Sequence, residues 1–308
     1  MKLIDADQID RALTRRDAVA AIADALHAGW DIENDHERLF AGLSHGEFLL
    51  MPAESTTTAG VKVATIAPGN TAHGLPKIRA WYLLFDRETL QPIAVLDGTR
   101  LTTLRTPAAT AVAVRHLLDA GAPRDAVHLA VIGSGPQAIE HVRTICDTVD
   151  VARVTLLGRT PDRVAQAIDT LRADGLTVDA GDADSLRTAD VVVTATSSST
   201  PVVDLADIRE DAVVAAIGSH GRENRELGEA LVRAADVVVE ARASALRENG
   251  NLAAARSDDE WRAQPPANLA ELVRGDVRRR PGTPAVYTGV GMAWEDLAVV
   301  EKIMAAVS

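Results

Sequence analysis

The sequence predicts an α/β protein in which a doubly wound parallel sheet is joined to a second, α+β domain. Three observations carry this expectation. Across residues 126–239 short Val/Ala/Ile runs alternate with helical segments, the pattern of strands buried on both faces with helices crossing over them. A G-x-G-x-x-A turn over residues 133–138 stands between the first of those runs and the helix after it. The first third of the chain instead shows alternating strands separated by polar turns, which predicts antiparallel pairing.

Each element has a local reason. Thr14 followed by Asp17 reads as a variant capping box, and Val19, Ile22 and Leu26 then recur at helical spacing until Gly29. Residues 47–51 form a short apolar strand candidate. Residues 60–67 form a β-branched one in which Lys62, Ala64 and Ile66 share a face. Residues 79–85 and 92–96 read as a hairpin around the polar turn 86–89. Pro107 suits the first turn of a helix running to about Leu118, which leaves Arg105 just ahead of that helix. Strands are then expected at 126–132, 151–157, 190–195, 211–217 and 235–240, with helices after Gly135 and Pro161. Residues 258–281 are polar and helix-poor in places. A run at 286–290 precedes a final amphipathic helix over 294–307, with Leu297, Val300 and Met304 on one side.

Composition bounds the function. The 308 residues suffice for two domains, and 47% hydrophobic content supports a packed core. A formal net charge of -12 argues against nucleic acid as a partner. It leaves room for a small anionic ligand, which responds to local Arg and Lys residues. The single cysteine, Cys146, excludes an intramolecular disulfide and a Cys-based zinc site, and no metal is expected. It fits a reducing, cytoplasmic location. Asp5 and Asp7 interrupt the first residues, so these do not read as a signal peptide, and no apolar run is long enough for a membrane span.

The turn Gly133-Ser134-Gly135-Pro136-Gln137-Ala138 is a dinucleotide-binding fingerprint of the Rossmann type. Gly133 permits the tight turn and Gly135 a close approach of backbone to pyrophosphate. Ala138 keeps the helix near the sheet, and the helix N-terminus offers free N–H groups. An acid at the end of the second strand would bind the ribose 2′-hydroxyl of NAD, but that end reads Leu157-Gly158-Arg159-Thr160. Arg159, helped by Thr160 or Arg163, suits a 2′-phosphate, so NADP(H) is favoured over NAD(H). The alternative for Arg159 is a solvated surface side chain. Thr196 and Ser197, past the third strand, either edge the dinucleotide or are plain loop residues. Lys62 is a candidate acid or base because it lies inside an apolar strand, where restricted solvation eases loss of its proton. The alternative is a lysine on the wet face.

Four segments occur in order: GVKVATIAPGN at 60–70, LTTLRTPAATAVAVRHL at 101–117, VIGSGPQA at 131–138 and TGVGMAWEDL at 288–297. Together they closely resemble the ornithine cyclodeaminase/mu-crystallin family. The resemblance implies a substrate-binding and dimerisation domain made of residues 1–120 and 290–308, with a Rossmann domain over 121–289. It implies that Arg38 and Arg105 bind a substrate carboxylate, that Lys62 binds it or protonates an imine nitrogen, and that Met51 lines the pocket. It also implies a homodimer.

Three positions depart from the family pattern. Where the family's cyclodeaminases carry an Asp that contacts the substrate amine, this chain has His220, whose imidazole holds a cationic amine poorly but exchanges protons near neutral pH. Lys77 replaces a usual Thr, and the loop 221–225 is heavily charged. Mu-crystallin-like ketimine reductases also lack the Asp. The expected activity is therefore NAD(P)H-dependent reduction of an imino acid or cyclic ketimine acid such as Δ1-pyrroline-2-carboxylate, with Lys62 or His220 giving the proton. A cyclodeaminase lyase, an amino-acid dehydrogenase and a non-catalytic NADPH-binding protein remain as alternatives.

Overall fold

A computed structural model describes residues 1–218 and 220–307, save the side chain of Thr71. By its internal contacts the chain divides into two compact units. The first comprises Met1–Ala25, Trp30–Thr106 and Met292–Ser308, and the second Leu26–Gly29 and Pro107–Gly291. Among the described residues no helix is long and apolar enough to cross a membrane.

In the first unit β1 (Lys2–Ile4) leads into α1 (Ala6–Ala12) and α2 (Arg15–His27). Asp5 and Gln8 close a capping box on α1. Thr14 and Asp17 exchange the expected reciprocal bonds at the start of α2, Thr14 N donating to Asp17 Oδ2 at 3.1 Å and Asp17 N to Thr14 Oγ1 at 3.2 Å. Four strands then form an antiparallel meander: β2 (Leu39–Leu43), β3 (Gly46–Glu54), β4 (Thr58–Ile66) and β5 (Ile78–Asp86). Strand β6 (Pro92–Asp97) pairs antiparallel with β5, and β1 lies parallel to β6 at the edge. The register aligns Met51, Lys62, Tyr82 and Leu96 in one row across β3, β4, β5 and β6. All four are buried, so the face carrying Lys62 is the covered one. Gly60 makes room in that face: a Cβ there would lie 2.2 Å from the Tyr82 hydroxyl. Strands β1 and β2 were not anticipated, being too short or too exposed to show a pattern.

Helix α3 (Gly98–Asp119) corrects the expected start at Pro107. It begins nine residues earlier because Asp97 caps it, accepting from Arg100 N at 2.8 Å. Leu101, Leu104, Ala108 and Val112 then bury one continuous stripe. Pro107 is tolerated inside the helix, and Arg105 sits in its body instead of ahead of it. The division between the units falls within this helix, upstream of the junction between residues 120 and 121 that the resemblance implies.

The second unit is the parallel sheet. Its strands are β7 (Val127–Ile132), β8 (Val151–Leu157), β9 (Val178–Ala180), β10 (Val191–Thr194), β11 (Val213–Ala216), β12 (Asp236–Val239), β13 (Ala267–Asn268) and β14 (Ala285–Thr288). Among the described residues the order is β13-β12-β14-β11-β10-β7-β8-β9, every pairing parallel. The order reverses direction at β7, where a doubly wound sheet opens its ligand crevice at the strands' carboxyl ends. Helices α4 (Pro136–Thr148), α5 (Pro161–Ala173), α6 (Ala183–Thr188) and α7 (Glu229–Ala234) follow β7, β8, β9 and β11. Helices α8 (Arg242–Glu248), α9 (Gly250–Ala255) and α10 (Asp258–Ala263) follow β12, and α11 (Leu269–Val273) follows β13. The last two lie in the stretch read as helix-poor. Each is nucleated by a capping box, Ser257 with Glu260 and Asn268 with Glu271, on a short apolar anchor such as Trp261. Those anchors are too few to make a periodic signal.

The last helix, α12 (Ala293–Ala306), belongs by its contacts to the first unit and packs on β3 and β4. It is apolar almost all round, with Trp294, Leu297, Val299, Val300 and Ile303 buried, as a helix laid across a sheet's inner face must be. Glu301 anchors it by accepting from the hydroxyls of Ser55, Thr57 and Thr58 in the β3–β4 turn.

Candidate functional site

In the first unit, four of the residues singled out from the sequence lie together. Lys62 and Met51 are direct cross-strand partners. Arg38 immediately precedes β2, and continuing the β2–β3 register by one residue brings it level with Met51. Lys62 Nζ donates to Asp296 Oδ2 at 2.7 Å. Arg105 reaches the same carboxylate from α3, its Nε donating to Asp296 Oδ1 at 3.1 Å and its Nη1 to Glu295 Oε2 at 2.7 Å. Lys62 is 3% exposed, Arg105 5%, and Glu295 and Asp296 not at all. The wet-face alternative for Lys62 is therefore excluded.

Burial chiefly, with the nearby positive charges of Arg105 and Arg38, brings the Lys62 ammonium down to about 8, while Asp296 pulls the other way. Only one of its three hydrogens is used; no described residue accepts the other two. A desolvated ammonium with two unused hydrogens beside a guanidinium can hold an anion or give up a proton.

The sequence reading missed the anions. Asp296 and Glu295 occupy the first turn of α12, where the helix dipole favours negative charge. Asp35 caps the same helix from a distant loop, accepting from Ala293 N at 3.1 Å and Trp294 N at 3.2 Å. Burial pushes its carboxyl up to about 6. The available signal was two adjacent acids opening an otherwise apolar helix. Acids buried there require cationic partners, and Lys62 inside an apolar strand was the natural one.

In the second unit the fingerprint turn has the expected conformation. Gly133 has φ +142°, and a Cβ on it would meet the Ala195 carbonyl oxygen at 2.5 Å, so only glycine fits. Ala138 is fully buried at the foot of α4. Gly135 is the N-cap of α4 and has no side-chain cap; a Cβ there would find nothing within 4 Å. Pro136 opens the helix, and Ser134 and Gln137 flank the turn half-buried. This open, uncapped helix N-terminus fits the pyrophosphate of a dinucleotide.

Ser134 also approaches the end of β8, lying 3.8 Å from the position of a Cβ on Gly158. Arg159 follows there, exposed and in no ion pair among the described residues. Thr160 is the N-cap residue of α5, yet its side chain makes no cap bond. Thr196 is held by the protein itself. Its N–H and its hydroxyl both donate to Glu226 Oε1, each at 2.7 Å, and its hydroxyl oxygen accepts from Ser198 N at 3.2 Å, which leaves the hydroxyl one lone pair for a ligand. Ser197 is exposed. Glu226 was not anticipated. It is buried and its other oxygen accepts from Gly218 N at 2.7 Å, so it ties the ends of β10 and β11 together.

His220 lies exposed in the loop after β11, its backbone carbonyl accepting from Asn224 Nδ2 at 2.8 Å. The charges of that loop are largely spent on local pairs, Arg222 with Asp258 and Arg225 with Glu229.

A family model described as the ornithine cyclodeaminase/mu-crystallin family matches residues 17–308. A Δ1-pyrroline-2-carboxylate/Δ1-piperideine-2-carboxylate reductase of Azospirillum brasilense is 35% identical over 264 residues, covering 85% of this chain and 81% of that protein. The iminosuccinate reductase of Paracoccus denitrificans, solved with NAD+, is 25% identical with a TM-score of 0.87, covering 100% of this chain and 96% of that one. The Δ1-pyrroline-2-carboxylate reductase of Thermococcus litoralis, solved with NADH and L-proline, shares the fold at a TM-score of 0.88 and 24% identity, covering 100% and 97%. The chain belongs to the ornithine cyclodeaminase/mu-crystallin family.

Proposed function

We propose that this protein is an NAD(P)H-dependent reductase of a cyclic imino acid of the Δ1-pyrroline-2-carboxylate type. The observation that carries the reading is the desolvated Lys62 ammonium, two of its hydrogens unused, beside Arg105 in the first unit. A planar imino acid presents a carboxylate and a basic nitrogen on adjacent atoms, and this pair of cations suits both. Arg105 and Arg38 would bind the carboxylate, Met51 would line the apolar side of the ring, and Lys62 would face the nitrogen. When bound, the reduced nicotinamide supplies the hydride for the imine carbon. The C=N π pair then moves to nitrogen, which takes a proton from Lys62 Nζ, and the lysine is left as a neutral amine to be reprotonated from water. The 35% identical relative is named for this substrate class, which supports the reading.

Gly133, Ser134, Gly135, Pro136, Gln137 and Ala138 would hold the pyrophosphate at the open N-terminus of α4. Thr196 and Ser197 would border the dinucleotide. Arg159, exposed, in no ion pair among the described residues and with Thr160 beside it, favours the 2′-phosphate of NADP(H). His220 would contribute to substrate choice in place of a carboxylate that suits a cationic amine. The sheet face opposite Lys62 presents Phe48, Leu50, Val63 and Trp81, with Trp81 52% exposed, and supports pairing of two copies through this face.

The test is oxidation of NADPH and NADH with a panel of Δ1-pyrroline-2-carboxylate, Δ1-piperideine-2-carboxylate, and pyruvate with ammonia, beside ornithine with catalytic NAD+. Turnover of the cyclic imines, faster with NADPH, is the expected result. Proline and ammonia from ornithine without net redox change would establish a lyase instead. Light scattering on the same sample is expected to give twice the 32.6 kDa chain mass.

A further inference from the structure

The charges around Lys62 are arranged unevenly. From its own sheet and the residues leading into it come Arg38 and the hydroxyl of Tyr82, its cross-strand neighbour. From α3 comes Arg105, and from α12 come Asp296 and, bound to Arg105, Glu295. Two guanidiniums thus push against the ammonium, and among the described residues the one carboxylate that touches it is Asp296, at 2.7 Å. Asp296 divides its oxygens, Oδ2 to Lys62 and Oδ1 to Arg105. It therefore fixes the ammonium relative to the guanidinium as well as compensating its charge. The carboxylate is itself held in place, fully buried at the N-terminal turn of a 14-residue helix. Tyr82, whose hydroxyl has no hydrogen-bond partner among the described residues, stays neutral because burial and the charges of Asp296, Glu301 and Asp35 push its ionisation well above the usual range.

We propose that Asp296 is a positioning residue for Lys62: its carboxylate aims the ammonium and keeps it charged, and so sets the pH range over which the protein can give a proton to its substrate. This inference rests on the reading of Lys62 as the proton donor. Reduction requires the charged lysine, so its rate falls as pH rises through the lysine's titration. Removing the negative charge of Asp296 moves that fall to lower pH, because burial, Arg105 and Arg38 are then opposed by nothing in contact.

The chain has four lysines, Lys2, Lys62, Lys77 and Lys302, of which only Lys62 is buried. A pH titration of protein labelled with 13C at lysine Cε therefore reads Lys62 without any turnover, its resonance identified by its loss in Lys62→Met. In the parent protein Lys62 should titrate near 8. In Asp296→Asn it should titrate lower by about one pH unit or more. The descending limb of imine reduction should move with it, so that for a shift of one unit reduction at pH 8 falls about fivefold further below its pH 6 value than in the parent. Asp296→Glu, which keeps the charge, should restore both towards the parent. The proposal is overturned if the Lys62 titration stays in place in Asp296→Asn. It is equally overturned if Asp296→Glu, the readout should Asp296→Asn fail to fold, displaces the titration by a unit or more. If Lys62→Met reduces cyclic imines at the parent rate, the reading of Lys62 as donor fails. The titration still reports whether Asp296 holds its charge.

Discussion

The two units build their candidate sites from opposite materials. In the first, the groups are formal charges taken out of water and neutralised by one another: Lys62 and Arg105 against Asp296 and Glu295. In the second, they are backbone N–H groups at the uncapped start of α4, a positive φ that only a glycine allows, and an exposed guanidinium. Buried charges depend on every partner being present, because each unpaired one costs several kcal/mol. A backbone cradle depends on conformation and tolerates most changes of side chain around it. The same residue type should thus behave differently in the two places.

The largest expected effect exposes that difference directly. Arg105→Leu leaves two buried carboxylates short of a partner and should cost about 3–5 kcal/mol of stability in urea unfolding. Arg159→Leu, removing an exposed guanidinium that makes no ion pair among the described residues, should stay within about 0.5 kcal/mol of the parent. Equal losses would erase the distinction. Next comes Gly133→Val, which forces a Cβ to within 2.5 Å of the Ala195 carbonyl at φ +142°. It should cost about 1–3 kcal/mol and weaken dinucleotide binding at least about tenfold by fluorescence titration. An unchanged Kd would show that the turn does not carry the pyrophosphate. Smallest is Arg159→Asp, which should leave turnover with NADH nearly intact while raising KM for NADPH about 10–100-fold, the loss of one or two charge-assisted hydrogen bonds. An unaltered NADPH/NADH ratio would remove Arg159 from the cofactor site.

The same contrast explains what could be read from the sequence. The Rossmann strands, the Gly133 turn and the buried Ala138 were legible because their causes are local: apolar runs of strand length, and a glycine needed by its own backbone. The inward face of β4 was undecided, since alternation places Lys62, Ala64 and Ile66 on one side without saying which side is dry. Its burial is settled by α12, some 230 positions away in sequence, and the partners Asp296, Glu295 and Asp35 are products of that long-range packing. The start of α3 was misplaced because Pro107 is a strong N-terminal signal on its own, while the Asp97 cap that opens the helix is one acid among many. The role of Thr196 is open in the sequence, because the carboxylate that takes its hydroxyl hydrogen arrives from a loop thirty residues later.

The central claim is that Lys62 delivers the proton in imine reduction, and single-turnover kinetics tests it most directly. Parent protein and Lys62→Met are each saturated with NADPH and mixed with Δ1-pyrroline-2-carboxylate, and the loss of nicotinamide absorbance is followed. The expected result is a rate lower by about 10²–10⁴-fold in Lys62→Met with the Kd for NADPH unchanged, as befits loss of a general acid that takes no part in holding the dinucleotide. The same rate in both proteins would contradict it.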